Sequence, residues 1–249
     1  MKEKILLIAG CSHAAGSEID GTEDSEYNRH HCFGSNIAKQ LGRRPINMSI
    51  AGYNNSAIAR SVLKWFSATY NPKKMDVMVL IAWTDSTRLE IPLESYENIV
   101  PQPNFSNWFD VTSSSFFRTV MGYTGDKNNP EEVDMLARAH RFVVENERYI
   151  EIISVNYVLQ LQYFLQSKKI DYLMCNSMPI FQNHTAHLGY YLNLVDSTKY
   201  YGIYNSEQAF YPKYKKEGYT NPKAKYWHHD EVPHDLFAQE LLDFIEENK

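Results

Sequence analysis

Three short apolar runs near the start of the chain, each followed by a polar break, restrict the fold more than any other feature. Lys4–Gly10, Ile46–Ile50 and Asp76–Trp83 are rich in Ile, Leu and Val and too short for helices. Such runs read as strands buried on both faces of a parallel sheet. Between them, Gly34–Leu41 sets Ile37 and Leu41 at helical spacing, with Gly42 placed to end the helix. A second helix is expected from about Ala57 to Tyr70, with Ile58, Val62, Leu63 and Phe66 on one face. Strand, helix, strand, helix, strand is a βαβαβ arrangement with right-handed crossovers. The expected class is therefore α/β, a three-layer α/β/α sandwich around a central, mainly parallel sheet.

Further along, the rhythm breaks. Residues from about 91 to 129 are rich in Asn, Ser, Pro and aromatics, among them Trp108, Phe116, Phe117 and Tyr123. This stretch reads as an insertion or lid near the active-site end, and a peripheral decoration or oligomer contact fits it equally well. Pro130-Glu131-Glu132 has the composition of a helix start, and a helical pattern then runs to about Lys168, as one helix or two. Ile170–Cys175 is a fourth strand, Pro179 to Ala224 is irregular and Tyr-rich, and His234–Glu247 is a closing amphipathic helix. Residues 1–249 read as a single domain with that insertion.

Composition removes several classes of function. A net charge of -5 argues against a general nucleic-acid binder, which needs a basic face to neutralise phosphates. No stretch approaches the roughly 18 apolar residues of a membrane span. The run Ile5 to Ala9 is too short for the core of a signal peptide, so a cytoplasmic location is expected. Cys11, Cys32 and Cys175 are far apart with no CxxC pair, which fits a reducing compartment better than a disulfide framework. The 18 tyrosines suit a sugar-binding groove, an ordinary core or an oligomer interface. A homo-oligomer stays open on that ground.

Chemistry concentrates where the strands end, the place at which open α/β sheets bind ligands. The first strand runs into Gly10-Cys11-Ser12-His13-Ala14-Ala15-Gly16. A serine hydroxyl there is a nucleophile only if a base takes its proton, so a histidine must come from elsewhere. A turn-forming serine explains the same residues without catalysis. The second strand leads to Gly52, whose lack of a side chain lets its N–H approach a reacting oxygen. The third ends in Ala82-Trp83-Thr84-Asp85-Ser86-Thr87-Arg88, and Trp227-His228-His229-Asp230-Glu231-Val232-Pro233-His234 enters the last helix. Neighbouring histidines cannot readily share one ion, and neither HExxH nor a cysteine partner accompanies them, so no metal is expected. No GxGxxG or Walker loop is present, and no cofactor is expected. Cys11 is a conceivable thiolate nucleophile but reads better as a small residue packed beneath the turn. Arg88 suits a structural ion pair or a clamp on an anionic substrate.

These segments, in this order, resemble the four blocks of the SGNH (GDSL-like) hydrolase superfamily. Gly10-Cys11-Ser12 is similar to the Gly-Asp-Ser block, Asn47 through Asn55 to the second block with Gly52 as its glycine, and Ala82-Trp83-Thr84-Asp85 to Gly-x-Asn-Asp. The region around His228 resembles the final Asp-x-x-His-Pro block before a helix. Gly-Cys-Ser with a Trp-Thr third block looks closest to divergent members of bacteriophages and environmental bacteria. The resemblance implies a flavodoxin-like fold and a serine hydrolase of ester bonds, with carbohydrate O-acetyl esters or small-molecule esters as substrates. It implies Ser12 as nucleophile, with Ser12, Gly52 and Thr84 as oxyanion donors. His228 is the implied base, by its spacing to the last helix, with His234 as the alternative. For the acid Asp230 is the candidate, or else a Ser–His dyad operates with a carbonyl orienting the imidazole. The departures are Cys11 for Asp, Thr84 for Asn, and Lys225 rather than an acid three residues before His228. Acyl transfer to an acceptor other than water would use the same residues. A non-catalytic protein that uses the fold for binding or assembly is the reading from another class.

Overall fold

A computed structural model describes residues 2–86, 88, 91–92, 108–109, 147–181 and 188–248. Among the described residues four strands form one sheet: β1 (Glu3–Gly10), β2 (Arg44–Asn47), β3 (Met75–Trp83) and β6 (Asp171–Asn176). Their order is β2-β1-β3-β6 and every pairing is parallel. A single parallel bridge from Met174 to Tyr200 extends the sheet beyond β6. The shortest strand, β2, holds an edge and carries Pro45, which can give no ladder hydrogen bond there. The expected second strand, Ile46–Ile50, begins later than the observed one. Its last residues still follow β1, because Met48 and Ile50 donate N–H bonds to the carbonyls of Ile8 and Gly10.

Alternate residues of the strands feed two separate cores, as a period of two requires. Ile5, Leu7, Val79 and Ile81 face α4 (Asn55–Ala68) and α5 (Glu147–Ser167). Leu6, Ile8, Leu80 and Leu173 face the other way, against α3 (Phe33–Gln40), α7 (Phe210–Lys216) and α8 (Glu231–Glu247). The result is three layers, helices on both faces of a parallel sheet, as expected.

Three short helices do not show in the hydrophobic pattern: α1 (Ser12–Ala15), α2 (Glu26–His31) and α6 (Leu188–Leu192). The first is one turn long, and the second is started by Ser25, whose side chain accepts the Asn28 N–H. His30 and His31, whose residue type in this polar stretch reads as surface or loop, stand on this helix with His30 exposed and the His31 ring stacked on Tyr27. The Tyr-rich segment 179–224, read as irregular, contains α6, α7 and two 3-10 turns. Of the expected insertion or lid at about 91–129, only β4 (Ile91–Pro92) and β5 (Trp108–Phe109) are described, and they pair antiparallel. The rest of it, the helix start at Pro130 and the histidines at 184 and 187 lie outside the described residues.

Candidate active site

At the carboxyl end of β1 the chain must turn sharply, and Gly10 permits it. A Cβ at this position would meet the Ala14 Cβ at 2.5 Å and the Ala82 carbonyl at 3.0 Å. Cys11 is fully buried beneath the turn, and Ser12 and His13 open α1, each 7% exposed. Gly16 ends the helix at φ +78, where a Cβ would meet the Asn28 carbonyl at 2.5 Å. The Asn47 amide, at the end of β2, donates to the Ala14 carbonyl and so fixes α1 from the neighbouring strand.

The chain then forms a tight hydrogen-bonded loop. Asp20 accepts the Thr22 N–H, the Thr22 hydroxyl and the Ser25 hydroxyl, and these bonds pull its carboxyl down to about 2. Glu18 lies inside this loop with its side chain 1% exposed, in the left-handed region at φ +65. Burial pushes the Glu18 carboxyl up, but bonds from His228 and from the backbone of Tyr226 and Lys225 outweigh it. The net shift is downward, so Glu18 stays ionised.

His228 arrives from the other end of the chain. Its Nδ1 lies 2.6 Å from Glu18 Oε2, and its ring centroid is 4.8 Å from that of His13, the residue after Ser12. The structure therefore seats this imidazole against the segment that carries the serine. Burial lowers the His228 pKa; the Glu18 hydrogen bond and charge oppose this, Arg88 adds to it, and the outcome is a lowered value. A neutral imidazole with Nδ1 engaged has Nε2 left to accept a proton.

The remaining expected residues are placed as follows. His234 sits in the core with Phe33 and Phe210 against its ring, and its Nδ1 accepts the Phe33 N–H at 3.2 Å. The carboxylate bonded to His228 is that of Glu18, whereas Asp230 stands at the N-cap of α8 with no capping bond from its side chain. Gly52 follows β2 in a turn at φ +89. Thr84 is fully buried, and its N–H and carbonyl are both held by the Asn55 side chain, at 2.9 and 3.0 Å. Of its polar groups the Thr84 hydroxyl is left, and its Oγ1 has no partner among the described residues. Other strand ends repeat the pattern, with buried Ser49 Oγ, Trp83 Nε1 and Ser177 Oγ having no partner among the described residues. Arg88 donates to the Tyr53 carbonyl. Among the described residues, no group of three or more His, Cys, Asp and Glu side chains is arranged to hold a metal ion. None of their helices is long and apolar enough to cross a membrane.

No protein-family model and no curated protein matches this chain. Solved structures do. A carbohydrate esterase family 2 enzyme with a carbohydrate-binding domain, from Myceliophthora fergusii, superposes with a TM-score of 0.51 at 12% identity. The match covers 100% of this chain and 67% of that one. The likeness is one of fold, a parallel sheet with helices on both faces. A second carbohydrate esterase superposes at a TM-score of 0.42 and 12% identity, over 98% of this chain and 65% of that one. A lipolytic protein of the G-D-S-L family from Veillonella parvula gives 0.35 and 10%, over 97% of each chain.

Glu18 escaped the sequence reading. An acid was sought beside the histidines, whereas the one present lies 210 positions away, just past the serine turn. Its one local signal is an acid close behind Gly10-Cys11-Ser12, directly after the small residues Ala14 to Ser17.

Proposed function

We propose that the chain is a serine hydrolase of ester bonds, with Ser12 as nucleophile and His228 as base. The placement of His228 carries this reading. An imidazole from the end of the chain rests against the serine turn, with one nitrogen engaged and the other left for proton transfer.

In the proposed reaction, Ser12 Oγ attacks the acyl carbonyl while its proton passes to His228 Nε2. The carbonyl oxygen becomes an oxyanion, met by the N–H groups of Ser12 and Gly52 and by the Thr84 hydroxyl. Donors fixed in advance suit this task, because they need no reorganisation as charge develops. The Asn55 side chain clamps the Thr84 backbone from which that hydroxyl projects. Collapse breaks the ester bond, and the departing alkoxide takes the proton from Nε2. Water then attacks the acyl-serine, gives its proton to Nε2 and releases the acid, and Nε2 returns a proton to Ser12.

Carbohydrate O-acetyl esters are the substrate class we favour, supported by exposed aromatic rings next to the base. Trp227 is 79% exposed and immediately precedes His228. Acyl transfer to a sugar hydroxyl shares every step up to the acyl-serine, and the product separates the two. A fluorophosphonate probe should label the wild-type protein, and Ser12→Ala should abolish both labelling and about 10⁴-fold or more of acetate-ester turnover. Labelling that persists in Ser12→Ala would remove Ser12 as the nucleophile, and an absence of turnover with every ester and acceptor tried would leave a non-catalytic binding or assembly protein.

A further inference from the structure

Glu18 is held more elaborately than a loop staple requires. Its Oε1 accepts the Lys225 N–H at 2.7 Å, its Oε2 accepts the Tyr226 N–H at 2.9 Å, and the same Oε2 lies 2.6 Å from His228 Nδ1. Its own N–H donates to the Thr22 carbonyl, and its carbonyl accepts from the Asn221 amide. A neutral amide or a backbone carbonyl could cap two N–H groups at far less desolvation cost than a buried carboxylate. The third contact is the one for which the charge matters.

The backbone around this pair is unusual in the same way on both sides. Among the described residues, three other than glycine have a left-handed φ, and two of them are Glu18 and Trp227. One bears the carboxylate and the other precedes the histidine. Such conformations persist where surrounding contacts impose them, and they concentrate at functional sites.

We propose that Glu18 is the positioning acid of this site. Its carboxylate holds His228 with Nδ1–H directed to itself, leaves Nε2 for Ser12, and stabilises the imidazolium that forms when Ser12 loses its proton. The proposal rests on the Ser12–His228 reading above. The acid is thus supplied from just behind the nucleophile rather than from beside the histidine. One loop, Ser17 to Ser25, then sets nucleophile and base relative to each other. Glu18 accepts no proton during the cycle, since three donors already hold its ionised form. Among the described residues, the other groups whose charge acts on His228 or is acted on by it are His13, His229, His234, Arg88 and Glu23, and of these only Glu23 favours its protonation.

The test is Glu18→Gln, which keeps the length and an acceptor for the backbone N–H groups while removing the charge. With an acetate ester, kcat should fall about 10²- to 10⁴-fold while KM changes little. Nitrogen-15 NMR of the imidazoles, which needs no turnover, should show His228 as the Nδ1–H tautomer in the wild type. Its pKa should drop by about one unit in Glu18→Gln, and the acid limb of the pH–rate profile should move down with it. Glu18→Asp, one methylene short but charged, should recover part of kcat and most of the pKa. It also serves as the second variant if the Gln protein fails to fold. An Nε2–H tautomer in the wild type would overturn the proposal, as would an unchanged His228 pKa in a folded Glu18→Gln protein. Full turnover in Glu18→Gln beside none in Ser12→Ala would overturn it while leaving the hydrolase reading intact. If the wild type turned over no ester, the hydrolase reading would fall, and the NMR result alone would decide the role of Glu18.

Discussion

His228 and His234 stand six residues apart at the entrance to the same helix, and their surroundings give them opposite chemistry. His234 is buried and His228 is half-buried, and burial lowers both pKa values. His228 faces a carboxylate, so its Nδ1 carries the hydrogen and Nε2 keeps a lone pair. His234 faces a backbone N–H, so its Nδ1 lone pair is consumed and the hydrogen of the neutral ring must sit on Nε2. A neutral His234 in this setting has no lone pair left to act as a base. The difference teaches that a histidine's role follows from the group that meets its first nitrogen, which chain spacing does not reveal.

The largest effect that could break this comparison is on rate. His228→Gln should lower ester turnover about 10⁴-fold, because no general base replaces the imidazole. His234→Leu should leave kcat within a few-fold of wild type. A turnover assay on the two proteins side by side checks both, and a reversal of the two results would make His234 the base.

Stability should respond in the other order. His234→Leu removes the acceptor from the buried Phe33 N–H at the start of α3, at a cost of about 1–3 kcal/mol. For a chain of this size that corresponds to roughly 2–4 °C in Tm for each kcal/mol. Thermal unfolding of the Leu variant at neutral pH measures it, and an unchanged Tm would mean that the Phe33 bond contributes nothing.

How far the sequence alone reached follows the same division between local and distant causes. The strands were legible because burial on both faces leaves an apolar run that needs no partner to be recognised. Lys4–Gly10 and Asp76–Trp83 each match the observed strand to within a residue at its start. The edge strand was displaced because Arg44 and Pro45 look unlike a strand and are tolerated only at an edge. Ser12, Gly52 and Thr84 could be singled out as candidates because strand ends are marked by an abrupt change from apolar to polar. Glu18 was not, since nothing local indicates a buried carboxylate in a left-handed backbone whose partners lie more than two hundred residues away. Helix α2 was readable in principle from Ser25 and the acid that follows it, but its exposed, polar face has no hydrophobic period.

The smallest effect is a slope, and it tests whether the two histidines share a thermodynamic character despite their different partners. His13, His228, His229 and His234 all have pKa values below the ordinary 6.5, each chiefly through burial. As pH falls through 6.5 the unfolded chain takes up protons that the folded chain refuses, so stability present above that pH is lost below it. Each histidine contributes at most about 1.4 kcal/mol per pH unit to this slope. Tm should therefore be level above about pH 7 and should decline from about pH 6.5 downwards, before the carboxylates begin to matter. Glu18 and Asp20 are depressed, so their contributions persist until pH drops below 4.5 and 3.8 respectively. His234 is the more strongly lowered of the pair, because no carboxylate offsets its burial. His234→Leu should flatten the decline by nearly one proton and His228→Gln by less. Equal slopes in the two variants would show that Glu18 gives its histidine no electrostatic relief, and the contrast between the two sites would then rest on hydrogen-bond geometry alone.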